Sequence, residues 1–376
     1  MNDIVAAFHS FDPTMDGVLH NLGPAVPAFG LALISSAVLC LGAIFTSRPL
    51  RMMKAPNRER DIHARPIPML GGISMYLAFA GVVLLVVPNS MGRNAVLLMC
   101  GLAAVLFLLD DRFRLPAWVK LVGQTGIAVG TVLGFGWTFQ ITFLSLPVIG
   151  LVHTGWFAIP LSVFWLMGMQ NTVNLIDGVD GLAGGVVAIV ALTLMVAAAS
   201  ISQGDVVLLA AVLAGVCVGY LVFNFNPARL FMADSGAHFL GLALGMLSIM
   251  GVAKLPVAFA LAIPLLALAV PIADTAFSIV RRRLEGVSMA RADAKHIHHR
   301  LLNLGLSQRE TCLVFYGATG ILGAIGLTVL GHKKILAIAI VLMIVLLSTA
   351  LADRMQATGR RIGPSLRALL GRGTLR

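Results

Sequence analysis

Apolar residues run along this chain in long blocks, and polar residues are confined to the gaps between them. The blocks occupy residues 25 to 47, 69 to 87, 94 to 109, 118 to 135, 155 to 173, 182 to 202, 206 to 222, 236 to 252, 256 to 280, 312 to 330 and 334 to 351. Each approaches the ~20 residues a helix needs to cross a bilayer. The pattern therefore predicts an all-α, polytopic membrane protein with about 11 transmembrane helices, of which the third and fourth are the shortest and most polar. Between the fourth and fifth blocks the stretch from Thr138 to Val152 alternates and ends in Pro147 and Gly150. That is compatible with a small hairpin and equally with an irregular loop.

Composition agrees with lipid as the solvent: 59% of the 376 residues are hydrophobic and 11% are charged, which a water-soluble domain does not combine with a solvated surface. Charge then sets the orientation, because cytoplasmic loops collect Lys and Arg. With the N-terminus periplasmic and the C-terminus cytoplasmic, 23 of the 27 Lys and Arg fall on the inner side, and only Arg93, Lys254, Lys333 and Lys334 remain outside. Residues 1 to 24 carry neither Lys nor Arg and are expected as a short external segment, since a cleavable signal would open with positive charge. Residues 25 to 352 form one membrane-embedded domain, and residues 353 to 376 a basic cytoplasmic tail, solvated or lying on lipid. The net charge of +11 is divided among juxtamembrane loops where anionic lipid accounts for it, so nucleic acid is not an expected partner. Cys40, Cys100, Cys217 and Cys312 lie in or beside apolar blocks without paired spacing and read as buried hydrophobes.

Four polar constellations stand at inner helix ends. Asp110 and Asp111 close the third block, where a helix C-terminus disfavours negative charge; two acids there imply a compensating cation, for which Mg2+ is suited. The run Asn171 to Gly185 repeats polar groups every three residues through Asn174, Asp177 and Asp180. A continuous helix would turn Asn171 and Asp180 to opposite sides, whereas a tighter turn permitted by Gly178 and Gly181 would align them. In Phe223 to Gly236, Asn226-Pro227 breaks one helix, and Asp234-Ser235-Gly236 is able to cap the next and leave backbone N–H groups for an anion. Lys295-His296-Ile297-His298-His299-Arg300 lies in a long basic loop that lacks the thiolates of a zinc set and suits phosphate. Asp274 is a lesser candidate with a structural hydrogen bond as its simpler role. Carboxylates, carboxamides and a His/Arg loop facing cytosol and lipid together point to phosphoryl chemistry on a lipid.

In this order the motifs resemble the polyprenyl-phosphate N-acetylhexosamine-1-phosphate transferases. The likeness includes His63-Ala64-Arg65-Pro66-Ile67-Pro68-Met69-Leu70-Gly71-Gly72 and runs from about residue 30 to 350. Asp110-Asp111-Arg112 and His296-Ile297-His298-His299 look like the branch that uses UDP-GlcNAc and undecaprenyl phosphate. The resemblance implies a multi-pass protein of the bacterial inner membrane with a cytoplasmic active site. It implies Mg2+, or Mn2+, held by Asp234 and Asn174. Phe231 would stack the uracil, His63 and Arg65 would contact the substrate, and His296, His298, His299 and Arg300 would grip the pyrophosphate, His298 with a catalytic part. Asp110 or Asp111 would orient or deprotonate the lipid phosphate, and Asp177 and Asp180 would shape the site. The product would be the first lipid intermediate of a cell-envelope polysaccharide, O-antigen lipopolysaccharide or teichoic acid among them. Expected partners are a UDP-N-acetylhexosamine, undecaprenyl phosphate and membrane lipids, and a homodimer is compatible. Two departures stand out: Lys54 where relatives commonly have an acid, and Ala233 in place of the usual Gly before Asp234. A transporter for an anionic substrate is the rival class; it would need polar groups near the midplane.

Overall fold

In lipid, the backbone of an apolar stretch satisfies its hydrogen bonds within a helix, and the apolar blocks fold accordingly. The computed structural model describes residues 15–55, 66–146, 150–251 and 305–328, with positions 269, 272–273, 301–302, 330, 332, 335–336, 338, 340 and 342–343. A short helix α1 (Met15–Leu22) leads into α2 (Ala25–Thr46), followed by strands β1 (Met53–Lys54) and β2 (Ile67–Pro68). Next come α3 (Gly71–Val86), α4 (Met91–Phe113), α5 (Ala117–Gly134), and strands β3 (Phe143–Leu146) and β4 (Gly150–His153). The remaining helices are α6 (Ala158–Ile176), α7 (Leu182–Ala199), α8 (Gly204–Asn224), α9 (Ala233–Gly251) and α10 (Gln308–Thr328). Helices α2 to α10 coincide with nine of the expected blocks; those at 256 to 280 and 334 to 351 fall largely outside the described residues. Among the described residues, six helices are long and apolar enough to cross a membrane, and α3 is a shorter apolar one.

Small residues let these helices approach. Ala28, Ala32, Ser36, Cys40 and Ala43 form a buried stripe on α2 at four-residue spacing or close to it. Opposite them stand Gly215 and Gly219 of α8, where a Cβ would run into the α2 backbone at Phe29 and Leu33. Ser36 Oγ donates to Val216 O at 2.8 Å across the same seam. With lipid tails as apolar as the helices, such close packing and interhelical bonding drive association. Helix α9 is the hub, packed against α3, α4, α6, α7 and α8. Its Gly236 crosses Gly72 of α3, and its Gly241 lies on the α6 backbone at Met169 and Gln170. Large apolar side chains such as Phe45, Leu85, Trp118 and Phe164 face outward, as lipid contact demands.

Three details differ from or sharpen the expectations. The third block was apolar only to residue 109, yet α4 continues through Asp110 and Asp111 and closes with Arg114 in the left-handed region (φ 55°). The stretch from Thr138 to Val152 is a hairpin, with Phe143 opposite His153 and Leu146 opposite Gly150. A second small ribbon pairs Met53 with Pro68 and Lys54 with Ile67. Far from the acidic helix ends, at the opposite end of the helices, a cleft of about 510 Å³ is lined by Ser90, Thr138, Gln203, Asp205 and Met250 among others.

Candidate active site

The acid pair divides its work because neighbouring helical residues point about 100° apart. Asp110 is 6% exposed. It accepts from Leu115 N at 2.8 Å and from Lys120 Nζ at 2.9 Å. Left-handed Arg114 and then Pro116 reverse the chain into α5, which returns Lys120 to the acid ten residues before it. The cation expected to offset this helix end is thus, at Asp110, a lysine of the chain itself. Asp111 turns toward α9 and accepts from the backbone N–H of Asp234 at 3.0 Å and of Ser235 at 3.1 Å. A helix N-terminus carries unpaired N–H groups and partial positive charge. The N–H groups expected to await an anionic ligand are therefore taken by the Asp111 carboxylate, and that expectation is corrected.

Asp234 opens α9 and is 36% exposed at its side chain. Asn174 Nδ2 donates to its Oδ1 at 3.1 Å, and Lys120 Nζ lies 3.6 Å from its Oδ2. Lys120 thus stands between Asp110 and Asp234. Ala233, immediately before, has φ 54°. This explains why a glycine suits the position: a left-handed L-residue costs roughly 1–2 kcal/mol, against about 0.5–1 kcal/mol for glycine's extra freedom when unfolded. Ala233→Gly is expected to stabilise the protein by about 1 kcal/mol or slightly less, read as a higher melting temperature in detergent.

The polar run after Asn171 is not aligned as a unit. Helix α6 continues to Ile176, with Asn171 Nδ2 bonded back to Met167 O at 2.8 Å and Asn174 turned to Asp234. Only residues 177 to 181 form a turn, with Gly181 at φ 88°. Asp180 Oδ2 accepts from Asn226 Nδ2 at 3.2 Å and Ala228 N at 3.0 Å, stapling this turn to the one between α8 and α9. The staple is reinforced on both sides. Gly181 N donates to Asn224 Oδ1 at 2.8 Å, and Tyr316 OH of α10 donates to Gly181 O at 2.6 Å. Arg309 holds Asn226 O through Nε and Nη2 at 3.0 and 2.8 Å. Asp177 is different: burial raises its carboxyl well above the usual range, Lys54 opposes that, and Asp234, Asp111 and Asp180 add to it. Asp180→Ala, which orphans the Ala228 N–H, is expected to cost about 1–3 kcal/mol. Asp177→Ala removes a carboxyl that is costly to bury and should leave the melting temperature unchanged or raised, so thermal melts of the two variants separate the roles.

The first inner loop reaches the same place. Phe231 N donates to Pro68 O at 2.8 Å and Gly71 N to Phe231 O at 3.0 Å. Lys54 Nζ lies 5.3 Å from the centre of the Phe231 ring, a cation–π distance. The structure thus brings Asp110, Asp111, Asn174, Asp177, Asp180, Phe231 and Asp234 to one end of the bundle. His63, Arg65, Asp274, His296, His298, His299 and Arg300 lie outside the described residues. Sequence reading counted Lys120 only as topological charge; its return across Pro116 to Asp110 was the available signal. Asn224, Arg309 and Tyr316 were missed because their partners are more than 80 residues away or on backbone atoms.

A divalent cation fits this donor set by charge and by atom type. Asp177 lies within electrostatic reach of Asp111, Asp180 and Asp234, with Lys54 as the opposing charge, and Asp110 and Asp234 share Lys120. Among the described residues no three His, Cys, Asp or Glu side chains group as a metal cage. Mg2+ typically takes one or two carboxylates and completes its shell with water and substrate phosphate.

The pattern of glycosyl transferase family 4 matches residues 94–252. A probable undecaprenyl-phosphate N-acetylglucosaminyl 1-phosphate transferase of Bacillus subtilis is 37% identical over 260 residues, 69% of this chain and 72% of that protein. A decaprenyl-phosphate N-acetylglucosaminephosphotransferase of Mycolicibacterium smegmatis is 34% identical over 339 residues, covering 81% and 83%. A phospho-N-acetylmuramoyl-pentapeptide-transferase of Moorella thermoacetica is 32% identical over 302 residues, covering 75% and 92%.

Proposed function

Since the chain belongs to glycosyl transferase family 4, among the polyprenyl-phosphate N-acetylhexosamine-1-phosphate transferases, we propose that it moves GlcNAc-1-phosphate from UDP-GlcNAc to undecaprenyl phosphate. The reaction takes place at the cytoplasmic face of the bacterial inner membrane and opens a cell-envelope polysaccharide. The observation that carries this reading is the meeting of Lys120 with Asp110 and Asp234, and of Asn174 with Asp234, at one end of the bundle. There a membrane-held phosphate and a water-borne nucleotide-sugar have access to the same charges.

An oxygen of the lipid phosphate attacks the phosphorus that bears the sugar. A new P–O bond forms, the bond to the UMP oxygen breaks, and UMP leaves with the electron pair. A phosphate monoester has its second pKa near 6, so it is largely dianionic at neutral pH and needs no base. Asp110, already paired with Lys120, then positions the lysine rather than moving a proton. Lys120 offsets negative charge between the two phosphates, a role for a cation held in place before the reaction. Asp111 fixes the start of α9, and with it Asp234, by capping it. Bound Mg2+ or Mn2+ would neutralise the pyrophosphate and orient it, with Asp234 and Asn174 as its protein ligands. Phe231 stacks the uracil on a ring already polarised by Lys54. His63 and Arg65 contact the nucleotide-sugar, and His296, His298, His299 and Arg300 hold the pyrophosphate.

The test is to incubate the purified protein with UDP-GlcNAc, undecaprenyl phosphate and Mg2+, and to follow UMP and the lipid by mass spectrometry. The expected products are UMP and undecaprenyl-pyrophosphoryl-GlcNAc, with UDP-GalNAc and other UDP-N-acetyl sugars as weaker competitors. UMP formed from a different UDP-sugar alone would reassign the donor. No UMP from any of them would favour an anion transporter.

A further inference from the structure

One helical turn deeper than the site, three more polar side chains are buried in the membrane core. Gln124 is four residues beyond Lys120 on α5, His238 four beyond Asp234 on α9, and Gln170 four before Asn174 on α6, whose C-terminal end is at the site. A step of four residues is about one turn on the same face. Their exposures are 5%, 4% and 0%. Among the described residues each has a buried polar atom without a hydrogen-bond partner: Gln124 Oε1, His238 Nδ1 and Gln170 Oε1.

The surrounding contacts place them at one level. His238 stacks on Phe107 of α4 with centroids 3.4 Å apart and planes 2° from parallel. Gly123, beside Gln124, abuts Leu106 of α4. Thr125 Oγ1, on its other side, is 3.5 Å from Met167 Sδ of α6. Gln170 lies against Gly241 of α9, three residues from His238. His238 is also within electrostatic reach of Lys120 and Asp110.

Unpaired buried polar atoms cost free energy, and three of them at one depth on α5, α6 and α9, with α6 packed against both other helices, have one shared remedy: water that enters among them. We infer that Gln124, Gln170 and His238 hold a small cluster of ordered water beneath the site, and that through it His238 is a positioning residue for Lys120. An ammonium has three N–H donors. Lys120 gives one to Asp110 at 2.9 Å and has Asp234 at 3.6 Å, which leaves donor capacity that water below can take up. Such water typically makes two to four hydrogen bonds and belongs to the structure. Held from below as well as by its two carboxylates, the ammonium stays between Asp110 and Asp234. A dry apolar floor would let it move toward solvent.

This inference rests on the proposed transfer reaction for its rate measurement, and an independent readout accompanies it. In a high-resolution structure of the purified full-length protein, ordered water is expected within hydrogen-bonding distance of His238 Nδ1 and Gln124 Oε1; a dry layer overturns the inference. In the transfer assay, His238→Leu should lower kcat by about 10-fold at unchanged KM for UDP-GlcNAc. His238→Asn, whose Oδ1 takes the place of Nδ1, should restore most of the turnover. Equal kcat for the Leu and Asn variants, whether normal or lost, would mean that hydrogen bonding at this position is immaterial and would overturn it. Absence of transfer by the unmutated protein would instead count against the reaction, leaving the water measurement to decide the layer.

Discussion

Asp234→Asn is expected to lower the transfer rate by about 1000-fold while the protein stays folded. The side chain sits at the start of α9, partly exposed, with Asn174 Nδ2 at 3.1 Å on one oxygen and Lys120 Nζ at 3.6 Å from the other. An asparagine is nearly isosteric and still accepts from Asn174, and the Asp111 bonds go to the backbone of residues 234 and 235, so the cap persists. What disappears is a negative charge in a cluster already crowded with carboxylates. The melting temperature in metal-free buffer should therefore hold or rise as activity collapses. Near-normal turnover would remove Asp234 from the proposed metal set.

Lys120→Met should cost about 100-fold in rate and, unlike the first variant, should also destabilise. It leaves Asp110, almost fully buried, with Leu115 N as a donor and the Asp234 carboxylate as a like-charged neighbour. Removing one side of a buried ion pair is strongly destabilising. Here Lys120 is about a third exposed and partly screened, so a loss of about 1–3 kcal/mol is expected. Adding Asp110→Asn to Lys120→Met removes the orphaned charge and should recover most of that stability. It should not recover the rate, because the cation between the phosphates is still missing. If the double variant regained both, the lysine would be a structural counter-ion and no more.

Much of the architecture was legible because lipid imposes a simple rule. Nine apolar blocks became helices among the described residues, and the break at Asn226-Pro227 fell where a helix ends. The alternation around Phe143 left a hairpin and an irregular loop equally open, and the chain forms the hairpin. The residues that gather at one end were also visible, since Asp110, Asp111, Asn174, Asp177, Asp180 and Asp234 are conspicuous in a chain so poor in charge. Their individual partners were not. Adjacent Asp110 and Asp111 look alike in sequence, yet one pairs with Lys120 and the other caps a helix 123 residues away. That division depends on how α4, α5 and α9 meet, which no local pattern encodes. Asp180 likewise reads as a site acid until its carboxylate is seen accepting from Asn226 and Ala228. Ala233 is the converse case: a departure visible in the motif, whose cost became plain only with its left-handed backbone.

The central claim is that sugar and phosphate move together to the lipid. UDP-GlcNAc labelled at the β-phosphorus tests it directly when incubated with the purified protein, undecaprenyl phosphate and Mg2+. The label is predicted to pass into the lipid fraction while unlabelled UMP is released. Label left in the water phase as UDP, beside a lipid that has gained sugar without it, would contradict the account.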